Sequence, residues 1–161
     1  MNYESITYPD VNNGIGCRVT LWISGCTHHC KGCQNRQTWD FDSGKTFDND
    51  IKEKLISILK LPYIKGLTLS GGDPLCSYDE VVELVKELKE ILPDKDIWLY
   101  TGFTMDIIKK AMPSILKYID VIVDGEFIEN KRDITLAFRG SSNQKIWEKD
   151  KDGDFILSKL N

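Results

Sequence analysis

Gly66-Leu67-Thr68-Leu69-Ser70-Gly71-Gly72-Asp73-Pro74, with the run from Ser77 to Pro93 that follows it, is the stretch whose reading decides the fold. Gly66 to Ser70 reads as a short strand, and Gly71-Gly72-Asp73-Pro74 ends it abruptly, because two glycines and a proline cannot carry a strand on. Downstream, Ser77 three residues ahead of Glu80 has the form of a capping box, and Val81, Val85, Leu88 and Leu92 then recur at helical spacing until Pro93 stops them. A strand, a glycine loop and an amphipathic helix in that order make one βα unit.

The same unit repeats on both sides. Cys17 to Ser24 is β-branched and apolar in character, as a buried strand is, and it runs into a loop rich in cysteine. Ile51, Leu55, Ile58 and Leu59 predict a helix that stops before Pro62. Beyond Pro93, Ile97 to Thr101 predicts a third strand, Met105 to Lys117 a shorter helix, and Val121 to Val123 a fourth strand. Strands alternating with helices imply right-handed crossovers, a mostly parallel sheet, and ligand-binding loops at the carboxyl ends of the strands. The cysteine loop and the Gly-Gly-Asp-Pro loop both belong to that end. A full eight-stranded barrel takes about 250 residues, so the expected fold is α/β, an open partial (β/α) barrel with mostly parallel strands, formed by residues 1–161 as a single domain. Ahead of Cys17 the chain reads as a polar lead-in. Past Asp124 the pattern weakens, with Asp152-Gly153 as a hairpin turn before Phe155-Ile156-Leu157.

Composition narrows the function. With 41% hydrophobic and 29% charged residues the chain is an ordinary globular one, and its net charge of −4 argues against general nucleic-acid binding, which needs basic surface to displace counterions from phosphates. No apolar run reaches the roughly 20 residues that span a bilayer, and no signal peptide opens the chain, so a cytoplasmic location and no membrane partner are expected. Five cysteines, three of them within eight positions, suit ligation in a reducing compartment better than a disulfide framework.

Those three are Cys26-x3-Cys30-x2-Cys33. Soft thiolates in one short loop after a strand select zinc or an iron–sulfur cluster. Closed sites of either kind want four ligands, and three leave a position open for substrate. A structural zinc knot completed by His28, His29, Cys17 or Cys76 is the alternative that spacing alone leaves standing. Cys17 and Cys76 otherwise read as small buried hydrophobes, His28 and His29 as loop residues or as hydrogen-bond donors that tune a cluster's sulfur, and Trp39, Trp98 and Tyr100 as core or as pocket lining, with no role assigned. Asp124 and Arg139 read either as ligand-gripping groups or as one structural ion pair. Glycines at 71 and 72 let backbone carbonyls approach a ligand without a Cβ in the way, and with the Asp73 carboxylate they suit an ammonium group.

The Cys-x3-Cys-x2-Cys loop at the end of a first strand, with Gly71-Gly72-Asp73-Pro74 one βα unit later, resembles the radical S-adenosylmethionine family. Within it the chain is similar nearly end to end to the activases of anaerobic ribonucleotide reductase, through Ser24-Gly25-Cys26, Asn35-Arg36-Gln37-Thr38-Trp39, Leu69 to Leu75, Asp96 to Gly102, Val123-Asp124-Gly125 and Arg139 to Gln144. Gly32 before the third cysteine and Asp73 in the glycine motif depart from the wider family and match that subfamily.

The resemblance implies one [4Fe–4S] cluster on Cys26, Cys30 and Cys33, with S-adenosyl-L-methionine chelating the fourth iron. It also implies adenosine contacts from the backbone of Gly32, Cys33 and Gln34, and methionine contacts from Gly71, Gly72 and Asp73. Reductive cleavage to methionine and a 5′-deoxyadenosyl radical would follow, the radical taking hydrogen from a glycine of the reductase's large catalytic subunit. An external one-electron donor and a homodimer within a larger complex are implied too. No general acid or base is required, so no residue is assigned as catalytic. A small radical enzyme acting on a low-molecular-weight substrate and a zinc-stabilised interaction module are the rival readings.

Overall fold

A computed structural model describes all residues 1–161. Its elements in chain order are β1 (Asn2–Asp10), β2 (Arg18–Ile23), β3 (Lys45–Thr46), α1 (Asn49–Leu59), β4 (Gly66–Gly71), α2 (Tyr78–Ile91), β5 (Asp96–Tyr100), α3 (Met105–Ala111), β6 (Val121–Asp124), β7 (Lys145–Lys149) and β8 (Phe155–Leu157). The strands form one eight-stranded sheet in the order β3-β1-β2-β4-β5-β6-β7-β8.

The four central strands β2, β4, β5 and β6 pair in parallel, joined by the helical crossovers that the sequence pattern predicts. Four further strands flank them and pair antiparallel, so the sheet is mixed. The polar lead-in is in fact strand β1. Its residues read as a lead-in because most of its side chains stay exposed or half-exposed while its backbone pairs with β2. Asp152-Gly153 lies in the turn that joins β7 to β8, where Gly153 has a φ of +90°. Two local expectations are corrected. Ser77 makes no side-chain cap to α2, and Glu80 pairs instead with the N-terminal amine of Met1. The helix expected from Met105 to Lys117 breaks after Ala111, and Pro113, which has no N–H and crowds the preceding turn, restarts the chain as a 3-10 turn over Pro113–Lys117.

Alternation along the strands divides the sheet into two unlike faces. Val19, Leu21, Ile23, Leu67, Leu69, Ile97, Leu99 and Ile122 point to one side and join Leu55, Leu59, Val81, Val85, Leu88 and Ile108 from the helices in the main core. Opposite parity places Arg18, Thr20, Trp22, Thr68, Ser70, Trp98 and Tyr100 on the other face, where they are buried or half-buried although no α-helix covers it. Arg18, fully buried, donates to Thr68 Oγ1 at 2.8 Å and to the Leu67 carbonyl at 2.8 Å, pairs with Asp96 at 2.5 Å, and lies 5.3 Å from the Trp98 ring centre. No helix is long and apolar enough to cross a membrane.

Candidate functional site

The cysteine loop leaves β2 at Ser24. Its start is held by backbone: Gly25 N–H donates to the Thr38 carbonyl at 2.7 Å and Cys26 N–H to the Trp39 carbonyl at 3.0 Å. Its end closes on itself through Cys33 N–H to the Cys30 carbonyl at 3.1 Å, while Asn35 N–H points at the Cys33 sulfur at 3.3 Å. An amide aimed at a thiolate stabilises its negative charge and is one way a protein tunes a sulfur-ligated metal.

Cys26, Cys30 and Cys33 line one cavity of about 150 Å³ at the carboxyl ends of β2, β4, β5 and β6, together with Gly71, Gly72 and Tyr100. A larger one of about 470 Å³ continues from it over the polar sheet face, sharing Cys33, Asn35, Ser70, Tyr100, Phe127 and Gln144 and adding Gln34 and Arg139. Burial pushes the Cys26 thiol up to about 11 and raises that of Cys30 as well. A coordinating metal reverses that sign, because it deprotonates the thiol outright. The Trp39 indole N–H and the Tyr100 hydroxyl are buried in this wall without a partner in the chain, as polar groups are that await a ligand.

The donor set fits a polynuclear centre. Three soft thiolates on the wall of one cavity are ligands of the kind an iron–sulfur cluster takes, and neither Cys17 nor Cys76 lines that cavity to supply a fourth. Neither other cysteine lines it: Cys17 packs on the main core, and the Cys76 sulfur lies 3.5 Å from the hydroxyl of Thr27, beside Cys26. His29, at a φ of +49°, stacks on Trp39 with ring centres 4.6 Å apart.

The glycine motif has a tighter task than ligand approach. A Cβ at Gly71, whose φ is +112°, would sit 2.4 Å from the Ile23 carbonyl oxygen, and one at Gly72 would sit 2.3 Å from that of Gly25. The two glycines let the loop after β4 lie directly against the loop after β2, where Gly72 N–H donates to Ile23 at 2.7 Å and Asp73 N–H to Gly25 at 2.8 Å. Both residues still line the cavity.

Two expected contacts lie elsewhere. Gly32 does not line either cavity; at a φ of +75° it turns the loop beside Glu129, whose carboxylate a Cβ would meet at 2.8 Å. Asp73 is buried outside the cavity, and its carboxylate accepts from Leu75 N–H at 2.9 Å, the Thr101 hydroxyl at 2.9 Å, Gly102 N–H at 2.8 Å and His28 Nε2 at 2.8 Å. Those four contacts tie the loop after β4 to the cysteine loop and to the loop after β5. Asp124 and Arg139 do not pair with each other. Asp124 accepts from Met105 N–H at 2.7 Å, capping α3, and Arg139 donates to the carbonyls of Gln144 at 3.2 Å and Leu160 at 3.1 Å.

Of the three aromatic residues that the sequence leaves between core and pocket lining, Trp39 and Tyr100 line the cavity, whereas Trp98 packs against Phe138 at 5.3 Å. The signal that could have found Tyr100 is parity: it shares its face with Ser70 of the adjacent strand and with Trp22. His28 is no plain loop residue either. Its imidazole lies between Asp73 and Glu126, each at 2.8 Å, and the hydrogen bond to Asp73, opposed by burial, raises its pKa.

The model of the 4Fe-4S single cluster domain matches residues 12–147. The chain is also similar to three proteins named anaerobic ribonucleoside-triphosphate reductase-activating protein. That of Haemophilus influenzae is 47% identical over 150 residues, covering 91% of this chain and 97% of the relative. That of Enterobacteria phage T4 is 46% identical over 149 residues, covering 91% and 94%, and that of Escherichia coli K12 is 40% identical over 150 residues, covering 91% and 97%.

Proposed function

This chain belongs to the 4Fe-4S single cluster domain family and, within it, to the activating proteins of anaerobic ribonucleoside-triphosphate reductase, and from that premise we propose how its residues carry out the activation. It is an oxidoreductase that uses one [4Fe–4S] cluster and S-adenosyl-L-methionine to install a glycyl radical on the reductase. When bound and reduced, the cluster supplies the electron that splits the sulfonium into methionine and a 5′-deoxyadenosyl radical, which abstracts hydrogen from a reductase glycine.

The observation that carries the reading is the convergence of Cys26, Cys30 and Cys33 with Gly71 and Gly72 on one cavity that opens into a larger polar one. On this reading the three thiolates hold three irons and leave the fourth to the methionine group. The backbone at Gly71 and Gly72 would border that group, and Ser70 and Tyr100, which line both cavities, would help to hold the bound ligand in place. Cys33 and Gln34 stand beside the larger cavity, where the nucleoside fits. The chain's task is to orient the sulfonium and to keep water and stray hydrogen donors away, since the cofactors carry the chemistry.

The finer assignments belong to the same proposal. The glycine lies on the reductase's large catalytic subunit, an external one-electron donor reduces the cluster, and the chain works in the cytoplasm as a homodimer within a larger complex. The mixed sheet is taken as an open partial barrel whose uncovered edge admits the glycine-bearing segment.

The test is anaerobic reconstitution of the full chain. Iron and sulfide are measured, and cleavage of S-adenosylmethionine is then followed with and without the reductase subunit. Expected are about four irons and four sulfides per chain and a glycyl radical signal on the subunit. Cleavage without that signal refutes the activase assignment. Cys33→Ala should abolish cleavage, while Cys76→Ser, outside the cavity, should leave iron content and cleavage unchanged.

A further inference from the structure

We propose that His28 is a positioning residue, a strut that ties the cysteine loop to the loops after β4, β5 and β6 and so fixes where the cluster stands relative to the Gly71-Gly72 wall. The inference deepens the function proposed above and rests on it for the identity of the cluster's ligand.

Four independent features converge on this one imidazole. Nε2 meets the Asp73 carboxylate at 2.8 Å and Nδ1 meets Glu126 at 2.8 Å, so the ring spans from the loop after β4 to the loop after β6. Phe103, on the loop after β5, packs edge-on against the ring with centres 4.6 Å apart. Gly102 supplies the slot, because a Cβ there would lie 2.6 Å from the imidazole. The Asp73 arm leads further, since the same carboxylate binds Gly102 N–H at 2.8 Å and the Thr101 hydroxyl at 2.9 Å. Cys26 and Cys30 flank His28 two residues away on either side, so the strut grips the middle of the segment between two cluster ligands.

Its placement also makes it a partition. His28 lines the cysteine cavity on one side and, on the other, a separate cavity of about 690 Å³ walled by Phe103, Met105 and Trp147. The side chain is itself only 10% exposed. Truncation would therefore free the cysteine loop and join the two cavities at once. The three cysteines would still be present to assemble the centre, and the geometry of its open iron would no longer be held.

The test compares the full-length wild type with His28→Ala, His28→Asn and His28→Gln. The Gln amide nitrogen falls near the Nε2 position and keeps the Asp73 arm, while the Asn nitrogen falls near Nδ1 and keeps only the Glu126 arm. In the apo protein, amide hydrogen exchange in the peptide containing residues 26–33 should quicken about tenfold in the Ala variant and stay near wild type in the Gln variant, the scale expected for losing a charge-assisted hydrogen bond. After reconstitution all variants should carry wild-type iron and sulfide. KM for S-adenosylmethionine should rise about tenfold in Ala and Asn and within about twofold in Gln. The change in the electron paramagnetic resonance spectrum of the reduced centre on adding S-adenosylmethionine should weaken in the same order.

Wild-type exchange and KM in His28→Ala overturn the proposal, and so does an iron loss as large as that of Cys33→Ala, which would make His28 a ligand. If the Ala variant does not fold, the Gln and Asn variants decide, and equal behaviour of the two overturns it. Should the wild type fail to cleave S-adenosylmethionine, the activase reading falls, while the exchange measurement on the apo protein still judges the strut.

Discussion

Gly72→Ala puts the contact between the two active loops to a quantitative test. Gly72 has no left-handed φ, so alanine costs nothing in backbone conformation and the whole effect is contact. Its Cβ would sit 2.3 Å from the Gly25 carbonyl oxygen and 2.8 Å from that of Thr38, both backbone atoms that cannot rotate away. Reaching ordinary contact near 3.4 Å requires the loops to separate by about 1 Å, which stretches the Asp73 N–H to Gly25 bond now at 2.8 Å. Forced overpacking costs about 1–3 kcal/mol, and a lost internal hydrogen bond about 0.5–1.5 kcal/mol more. The sum, about 1.5–4.5 kcal/mol, lowers Tm by roughly 3–18 °C for a chain of this size. Thermal unfolding by circular dichroism on the apo protein measures it. Gly153→Ala serves as the reference, since nothing lies within 4 Å of its Cβ and only its φ of +90° is penalised; it should cost about 1–2 kcal/mol. A Tm for Gly72→Ala within about 2 °C of wild type would falsify the claim that the glycine motif exists to seat one loop on the other.

Two further outcomes follow from buried groups elsewhere. Arg18→Met should destabilise the apo protein by about 1–3 kcal/mol, because it leaves the buried Thr68 hydroxyl and Leu67 carbonyl short of a donor, while Asp96, partly exposed, keeps Lys65 at 3.9 Å; denaturant unfolding measures it, and a loss under about 0.5 kcal/mol contradicts the role given to Arg18. In the apo protein, alkylation of Cys26 should be slow at neutral pH and rise about tenfold per pH unit until it levels near pH 11, because burial favours the neutral thiol and only the thiolate reacts. The sign follows for cluster loading, which releases that proton and so strengthens as pH rises; a Cys26 alkylation profile that levels below pH 9 refutes the buried-thiol assignment.

The local pattern of the sequence was enough for the parallel half of the fold. Leu67 and Leu69, Ile97 and Leu99, and the stripe Val81, Val85 and Leu88 carry periods of 2 and 3.6 that need no knowledge of distant residues, and the elements formed where those periods run. Cys26, Cys30 and Cys33 were legible for the same reason: ligands within eight positions advertise their own geometry. Strand β1 was not, because its pairing partner is β2 and, of its residues, only Tyr3 joins the core outright with Ile6 packed against it.

The site shows the same division. Spacing determined that three thiolates share one loop and that a glycine turn follows the next strand. Which atoms face the cavity was decided only by packing between strands far apart in sequence. Asp73 looked like a ligand group because carboxylates bind cations, and only packing showed that Thr101, Gly102 and His28 reach it from 28, 29 and 45 positions away. His28 looked like a loop residue because nothing adjacent in sequence pairs with it; Glu126 meets it from 98 positions away. Short-range periodicity encodes elements and clustered ligands. Long-range pairing, which depends on the register of β4, β5 and β6, decides whether a polar side chain serves the substrate or the scaffold.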